Sequence, residues 1–212
     1  MAGRPRILVT GFSVFPGAPV NPTEALMAEL EARRPLLAHL GALRTEVLAV
    51  EYDAVPARLA ALAAFAPDIA IHFGLAADAH GFRLERLARN ALAPRADNAG
   101  RRPPAAAIAP GMPDLPSALP LDALHAALAA RGLPVSWSQD AGGYLCNYLF
   151  YLSRAGACAG FRPPMAGFVH VPPLDEHAAA PNALPRPALV AGALEIVRVC
   201  AQSWRGGAQR PG

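Results

Sequence analysis

Arg6-Ile7-Leu8-Val9-Thr10-Gly11 is a short apolar run closed by a glycine, with no alternation of polar and apolar residues. A strand with no polar face is covered on both sides, as the strands of α/β sheets are, so this run reads as a buried strand opening such a fold. Phe12-Ser13-Val14-Phe15-Pro16-Gly17 follows as a loop. Asn21-Pro22-Thr23-Glu24 then opens a helix, with Asn21 as N-cap, Pro22 at the first helical position and Glu24 at the third. Leu26, Met27 and Leu30 continue it at helical spacing.

The pattern repeats along the chain. Residues 46–50 read as a strand, 55–65 as a helix rich in Ala and Leu, and 68–73 as a third strand closed by Gly74. Residues 82–91 alternate in character, the pattern of an edge or antiparallel strand. A helix at 121–131, a strand at 134–138, a helix at 143–154, a strand at 167–171 and a final helix at 187–202 complete the series. Strands alternating with helices predict one three-layer α/β/α domain over residues 1–212, its sheet mixed, mostly parallel and twisted, with helices on both faces. Residues 92–120 break the rhythm. They are rich in proline and without periodicity, and a connection that long inside a compact domain is read as a functional loop, mobile when the site is empty.

Composition narrows the chemistry. All 19 basic residues are arginine and none is lysine, so a P-loop lysine, a pyridoxal Schiff base and a kinase strand lysine are excluded. The formal charge is +3, but the pairs Arg33-Arg34 and Arg101-Arg102 each run into proline, and no stretch interleaves aromatics with basic residues. Solvated surface charge accounts for that pattern better than nucleic-acid binding does. Cys146, Cys158 and Cys200 cannot all pair and lack metal-ligand spacing, which points to a reducing, cytoplasmic setting without a bound metal. No apolar leader is apparent before Ile7, and the apolar runs are too broken to span a membrane.

Three residues stand out as candidate catalytic groups. Cys146 falls in the first turn of a helix after Gly142-Gly143, where the helix dipole favours a thiolate; the plainer reading is a packed cysteine in the apolar stripe of Leu145, Leu149 and Leu152. His170 closes the strand Gly167-Phe168-Val169-His170-Val171, at the end where α/β sheets place their crevices, although a core histidine bonded to a carbonyl fits there equally well. Glu85, in Leu84-Glu85-Arg86-Leu87, suits the third group that orients an imidazole, against the ordinary reading of a carboxylate paired with arginine. His72, His125 and His177 read as structural. No G-x-S-x-G elbow proposes a serine hydrolase.

Several motifs recur together. They are Thr10-Gly11-Phe12-x-x-Phe15, Asn21-Pro22, His72-Phe73-Gly74-Leu75-Ala76 and Leu84-Glu85-Arg86-Leu87-Ala88-x-Asn90, followed by Asp97-Asn98-x-Gly100, Ala141-Gly142-x-Tyr144-Leu145-Cys146-Asn147-Tyr148 and Gly167-Phe168-Val169-His170-Val171-Pro172. In this order, over nearly the whole chain, they resemble the pyroglutamyl peptidase I family, the pyrrolidone-carboxylate peptidases. The resemblance implies a cysteine peptidase that removes N-terminal pyroglutamyl residues from peptides without metal or organic cofactor, in dimers or tetramers. It places the nucleophile on Cys146, the base on His170 and the orienting acid on Glu85. Phe12 and Phe15 fall where the lactam is bound, Asn21 at its polar contact, and Tyr144 and Leu145 at further pocket walls. Leu75 matches a position whose backbone carbonyl meets the lactam N–H, and Arg95 an arginine near the oxyanion. Two rivals stand beside this reading: a nucleoside-phosphorylase-like glycosyl transferase on a similar architecture, and an inactive relative that only binds pyroglutamyl peptides.

Overall fold

The structure, a computed structural model, describes residues 4–15, 18–177 and 180–207. Pro16 and Gly17, the end of the first loop quoted above, lie outside the described residues. A six-stranded sheet runs in the order β2 (Ala42–Leu48), β1 (Arg6–Phe12), β3 (Ile69–Leu75), β8 (Met165–Val171), β4 (Phe82–Glu85), β7 (Val135–Ser138). The first four strands are mutually parallel. β4 runs antiparallel to β8 and parallel to β7, so the sheet is mixed and mostly parallel, as the sequence predicts.

Helices cover both faces, and the core is correspondingly double. On one side α1 (Pro22–Ala32), α4 (Leu121–Ala130) and α6 (Arg186–Gly207) bury Leu26, Leu30, Leu124, Leu189 and Ile196 against Ile7, Val9, Ile71 and Val169. On the other, α3 (Ala54–Leu62) and α5 (Leu145–Ala155) bury Leu59, Leu149 and Phe150 against Leu8, Ala70 and Phe168. A side chain leaving β3 or β8 therefore meets one core or the other according to the parity of its position.

Local signals set most boundaries. Asn21 caps α1 as expected, its Oδ1 accepting from the Thr23 amide at 3.1 Å, with Pro22 opening the helix. α5 stops at Gly156, whose φ of 59° is the left-handed conformation of a helix C-cap. A four-residue helix, α2 (Arg34–Leu37), with Pro35 in its first turn, is too short for periodicity to report.

The expectation for residues 82–91 needs correcting in part. The antiparallel pairing is present, but the strand is not at an edge, because β7 lies outside it. Nor is it continuous. The chain leaves the sheet at Arg86, whose guanidinium sits 5.1 Å above the Trp137 ring, and β5 (Leu87–Ala88) pairs instead with β6 (Leu115–Pro116). Among the described residues no helix is long and apolar enough to cross a membrane.

Candidate active site

The parallel strands end together, and their carboxyl ends form one rim. β1 delivers Phe12, β3 delivers Leu75 and β8 delivers His170. The first loop returns across this rim with Phe15 and Asn21, and α5 points its N-terminus at it. Between them lies a cavity of about 220 Å³, lined by Phe12, Phe15, Asn21, Leu75, Arg95, Tyr144, Leu145, Cys146 and His170. That is small beside the roughly 300–1,000 Å³ of pockets that engulf drug-sized ligands, and it suits a single ring. The sequence reading did not single out Val50 or the Ala141-Gly142-Gly143 turn as walls, although all four line the same space. Glycines before a helix were visible as a signal. Val50, after the end of an ordinary strand, gave none.

Behind the cavity wall sits Glu85. Its Oε1 is 2.7 Å from Nδ1 of His170, and both residues are buried. Reversed polarity makes this contact possible. β4 pairs antiparallel with β8, placing Glu85 beside Phe168, so its side chain reaches His170 along the diagonal of the ladder. Burial works against charging the His170 ring, but the adjacent Cys146 sulfur and the Glu85 carboxylate outweigh it and hold the pKa up to about 9. With Nδ1 turned to Glu85, Nε2 is the nitrogen left for the sulfur.

Cys146 occupies the second residue of α5, where backbone N–H groups have no acceptor within the helix. Tyr144, just before the helix, donates its hydroxyl to Ala96 O at 3.0 Å, and the Arg95 guanidinium lies 4.3 Å from the centroid of its ring. The proline-rich segment thereby joins the rim. Ala93 N donates to Gly143 O at 2.8 Å, and Asn98 N to Val50 O at 3.0 Å. The motif residues without a chemical reading prove to be the struts. Asp97 accepts from the amides of Tyr52, Ala99 and Arg101, and Asn147 grips the backbone of Arg89 and Ala91.

His72, His125 and His177 do not line this cavity. His72 is fully buried with the hydroxyls of Thr10 and Ser153 each 2.8 Å from a ring nitrogen, and burial pushes its pKa down to about 3. His125 stacks on Trp137 at 4.7 Å, and His177 lies beside Glu176. Among the described residues no cluster of three His, Cys, Asp or Glu side chains is placed to hold a metal ion.

The sequence model of a family described as pyroglutamyl peptidase matches residues 5–203. The chain belongs to the pyroglutamyl peptidase family. A pyrrolidone-carboxylate peptidase of Pyrococcus furiosus is 38% identical over 174 residues, covering 81% of this chain and 82% of the relative. Pyrrolidone-carboxylate peptidase 1 of Ralstonia nicotianae is also 38% identical, over 178 residues, covering 82% and 81% respectively. A crystal structure of the Pyrococcus furiosus pyrrolidone carboxyl peptidase superposes with a TM-score of 0.84 at 32% identity, covering 93% of this chain and 99% of that one. As a member of this family the chain is a hydrolase, a cysteine-type pyroglutamyl peptidase. Neither the glycosyl-transferase rival nor the inactive binder gains support from these likenesses.

Proposed function

We propose that the protein removes N-terminal pyroglutamyl residues from peptides through a thioester on Cys146, with His170 and Glu85 completing the catalytic set. The observation that carries this reading is the Glu85–His170 pair meeting Cys146 at the wall of a one-ring cavity. The lactam ring enters between Phe12 and Phe15, its N–H toward the Leu75 carbonyl and its ring carbonyl toward the Asn21 amide. Cys146 Sγ attacks the acyl carbonyl. The carbonyl oxygen gathers negative charge among the N–H groups at the start of α5, with Arg95 alongside. His170 gives its Nε2 proton to the leaving amine as the C–N bond breaks, and then takes a proton from the water that cleaves the thioester. Glu85 keeps the ring in the required orientation throughout.

The 92–120 segment acts as part of the site, a role supported by its ties to Tyr144 and Val50. Three free cysteines favour a cytoplasmic location. Dimers or tetramers are the assembly the motif resemblance favours, with peptides rather than nucleic acid or membranes as partners. The deciding measurement is release of aminocoumarin from a pyroglutamyl amide. Cys146→Ala is expected to lose at least about 10³-fold in kcat. Retained turnover in that variant would overturn the proposed mechanism.

A further inference from the structure

β3 and β8 lie side by side in register, with Gly74 opposite His170. Register partners in a sheet point their side chains to the same face, about 4.8 Å apart. Here that face carries His72 from β3 and Phe168 and His170 from β8, under α5. Position 74 contributes no side chain to this row. A Cβ built on Gly74 would stand 2.8 Å from Cys146 Sγ, and 2.7 Å and 2.9 Å from Cζ and Cε1 of Phe168. The Gly74 backbone is not left-handed, so nothing in its conformation demands glycine. Space does. Among the described glycines, Gly74 alone has Cys146 within 3 Å of that point.

We propose that Gly74 is a positioning residue: the missing side chain lets the sulfur of a helix-borne cysteine drop into the side-chain row of the sheet, level with the His170 ring. The proposal rests on the assignment of Cys146 and His170 made above. A helix stacked on a sheet ordinarily keeps its atoms above the strand side chains. One vacant strand position converts that separation into contact between thiol and imidazole. Ordinary carbon contacts begin at about 3.5 Å, so a methyl group at 74 pushes the sulfur away by roughly 1 Å. A displacement of that size between reacting groups costs on the order of 10²-fold in rate.

The test combines kinetics with a stability cycle. Gly74→Ala is expected to lower kcat for a pyroglutamyl coumarin amide about 10²-fold. KM and the inhibition constant of 2-pyrrolidone should stay within about threefold, because Gly74 itself does not line the cavity. The alkaline limb of the kcat/KM profile should move to lower pH, since the sulfur helps hold the His170 proton. In the Cys146→Ala background, Gly74→Ala should depress Tm measurably less than it does with the sulfur present, the remaining loss being the clash with Phe168. An unchanged kcat, or an equal Tm loss in both backgrounds, would overturn the proposal, the second outcome assigning the clash to Phe168. If Gly74→Ala does not fold with Cys146 present, a folded Gly74→Ala, Cys146→Ala double variant supports it, and failure of both overturns it. Activity surviving in Cys146→Ala alone would instead remove the assigned nucleophile, while the Tm cycle would still report on the packing of Gly74.

Discussion

Glu85 is wholly buried, and only one of its two oxygens has a partner: Oε1 meets His170, whereas Oε2 has no hydrogen bond among the described residues. Such a carboxylate depends on the imidazole for compensation. His170→Ala should therefore destabilise the fold by about 3–5 kcal/mol in urea titrations, and Glu85→Gln added to it should recover part of that loss. A cost below about 1 kcal/mol for His170→Ala would show that Glu85 does not depend on the ring. Burial resists charging the ring, and the Cys146 sulfur, followed by this contact with Glu85, outweighs it and sets a pH dependence. With its pKa raised from the ordinary 6.5 to about 9, His170 is protonated at neutral pH, as the proposed delivery of a proton to the leaving amine requires, and loses that proton as pH rises through about 9. The kcat/KM profile should accordingly fall on the alkaline side near pH 9. A fall centred near 6.5 would mean that Cys146 and Glu85 do not hold the proton. Burial pushes the Cys158 thiol up to about 11 and the Cys200 thiol higher still, whereas Cys146 opens onto the cavity. Stoichiometric iodoacetamide should label Cys146 and abolish turnover, and peptide mapping that finds the label on Cys158 or Cys200 with activity intact would refute the assignment.

The segment from 89 to 113 shows where the sequence was legible and where it was not. Its proline content announced irregular structure, and Asp97, Asn98 and Asn147 appeared in motifs. Most of the backbone groups those side chains satisfy lie 45 to 84 positions away, so no local pattern could state it. β6 was hidden for the same reason: a two-residue strand ending in Pro116 has no periodicity to read. The alternation of 82–91 misled in the opposite direction, because it ran on past Glu85 although the sheet did not. The struts make the segment unequal along its length. Residues 92–98 are tied to Gly143, Tyr144 and Val50 beside the cavity, while residues 102–106 are largely exposed. Hydrogen exchange should slow in 92–98 when a pyroglutamyl inhibitor binds and stay fast in 102–106 with or without it; uniformly slow exchange in both states would contradict this. Asn147→Ala strips three hydrogen bonds from the backbone of Arg89 and Ala91, at roughly 1–3 kcal/mol for the groups left unpaired. It should quicken exchange across 89–98 and lower kcat/KM together.

Across the molecule, the α/β class and the place of His170 near a strand end were readable because each rests on a short run: the apolar stretch at Ile7, the capped helix at Asn21 and the strand that carries the histidine. Strand order was not, since placing β4 between β8 and β7 pairs residues more than 50 apart in sequence. That order is what brings a carboxylate from an opposed strand behind a ring on a parallel one, and under the proposed function the same convergence makes the substrate filter. Phe12 and Phe15 present apolar faces that a prolyl ring fits as well as a pyroglutamyl ring, so shape cannot separate the two. Polarity can. Asn21 is buried, its Oδ1 occupied by the amide and hydroxyl of Thr23 and one Nδ2 hydrogen by Ser13 O. The cap therefore fixes the side chain and leaves its second amide hydrogen for the lactam carbonyl. Proline has no ring carbonyl, which leaves that donor unpaired at about 1–3 kcal/mol. It also carries a protonated amine into a largely apolar cavity beside the charged His170 ring, which adds several kcal/mol of desolvation and repulsion. Sites built on such hydrogen bonds reject the analogue that lacks them by about 10⁴ or more. We expect that margin in kcat/KM between matched pyroglutamyl and prolyl coumarin amides at neutral pH. A ratio below about tenfold, equivalent to only about 1.4 kcal/mol, would mean that Asn21 and the Leu75 carbonyl do not read the lactam.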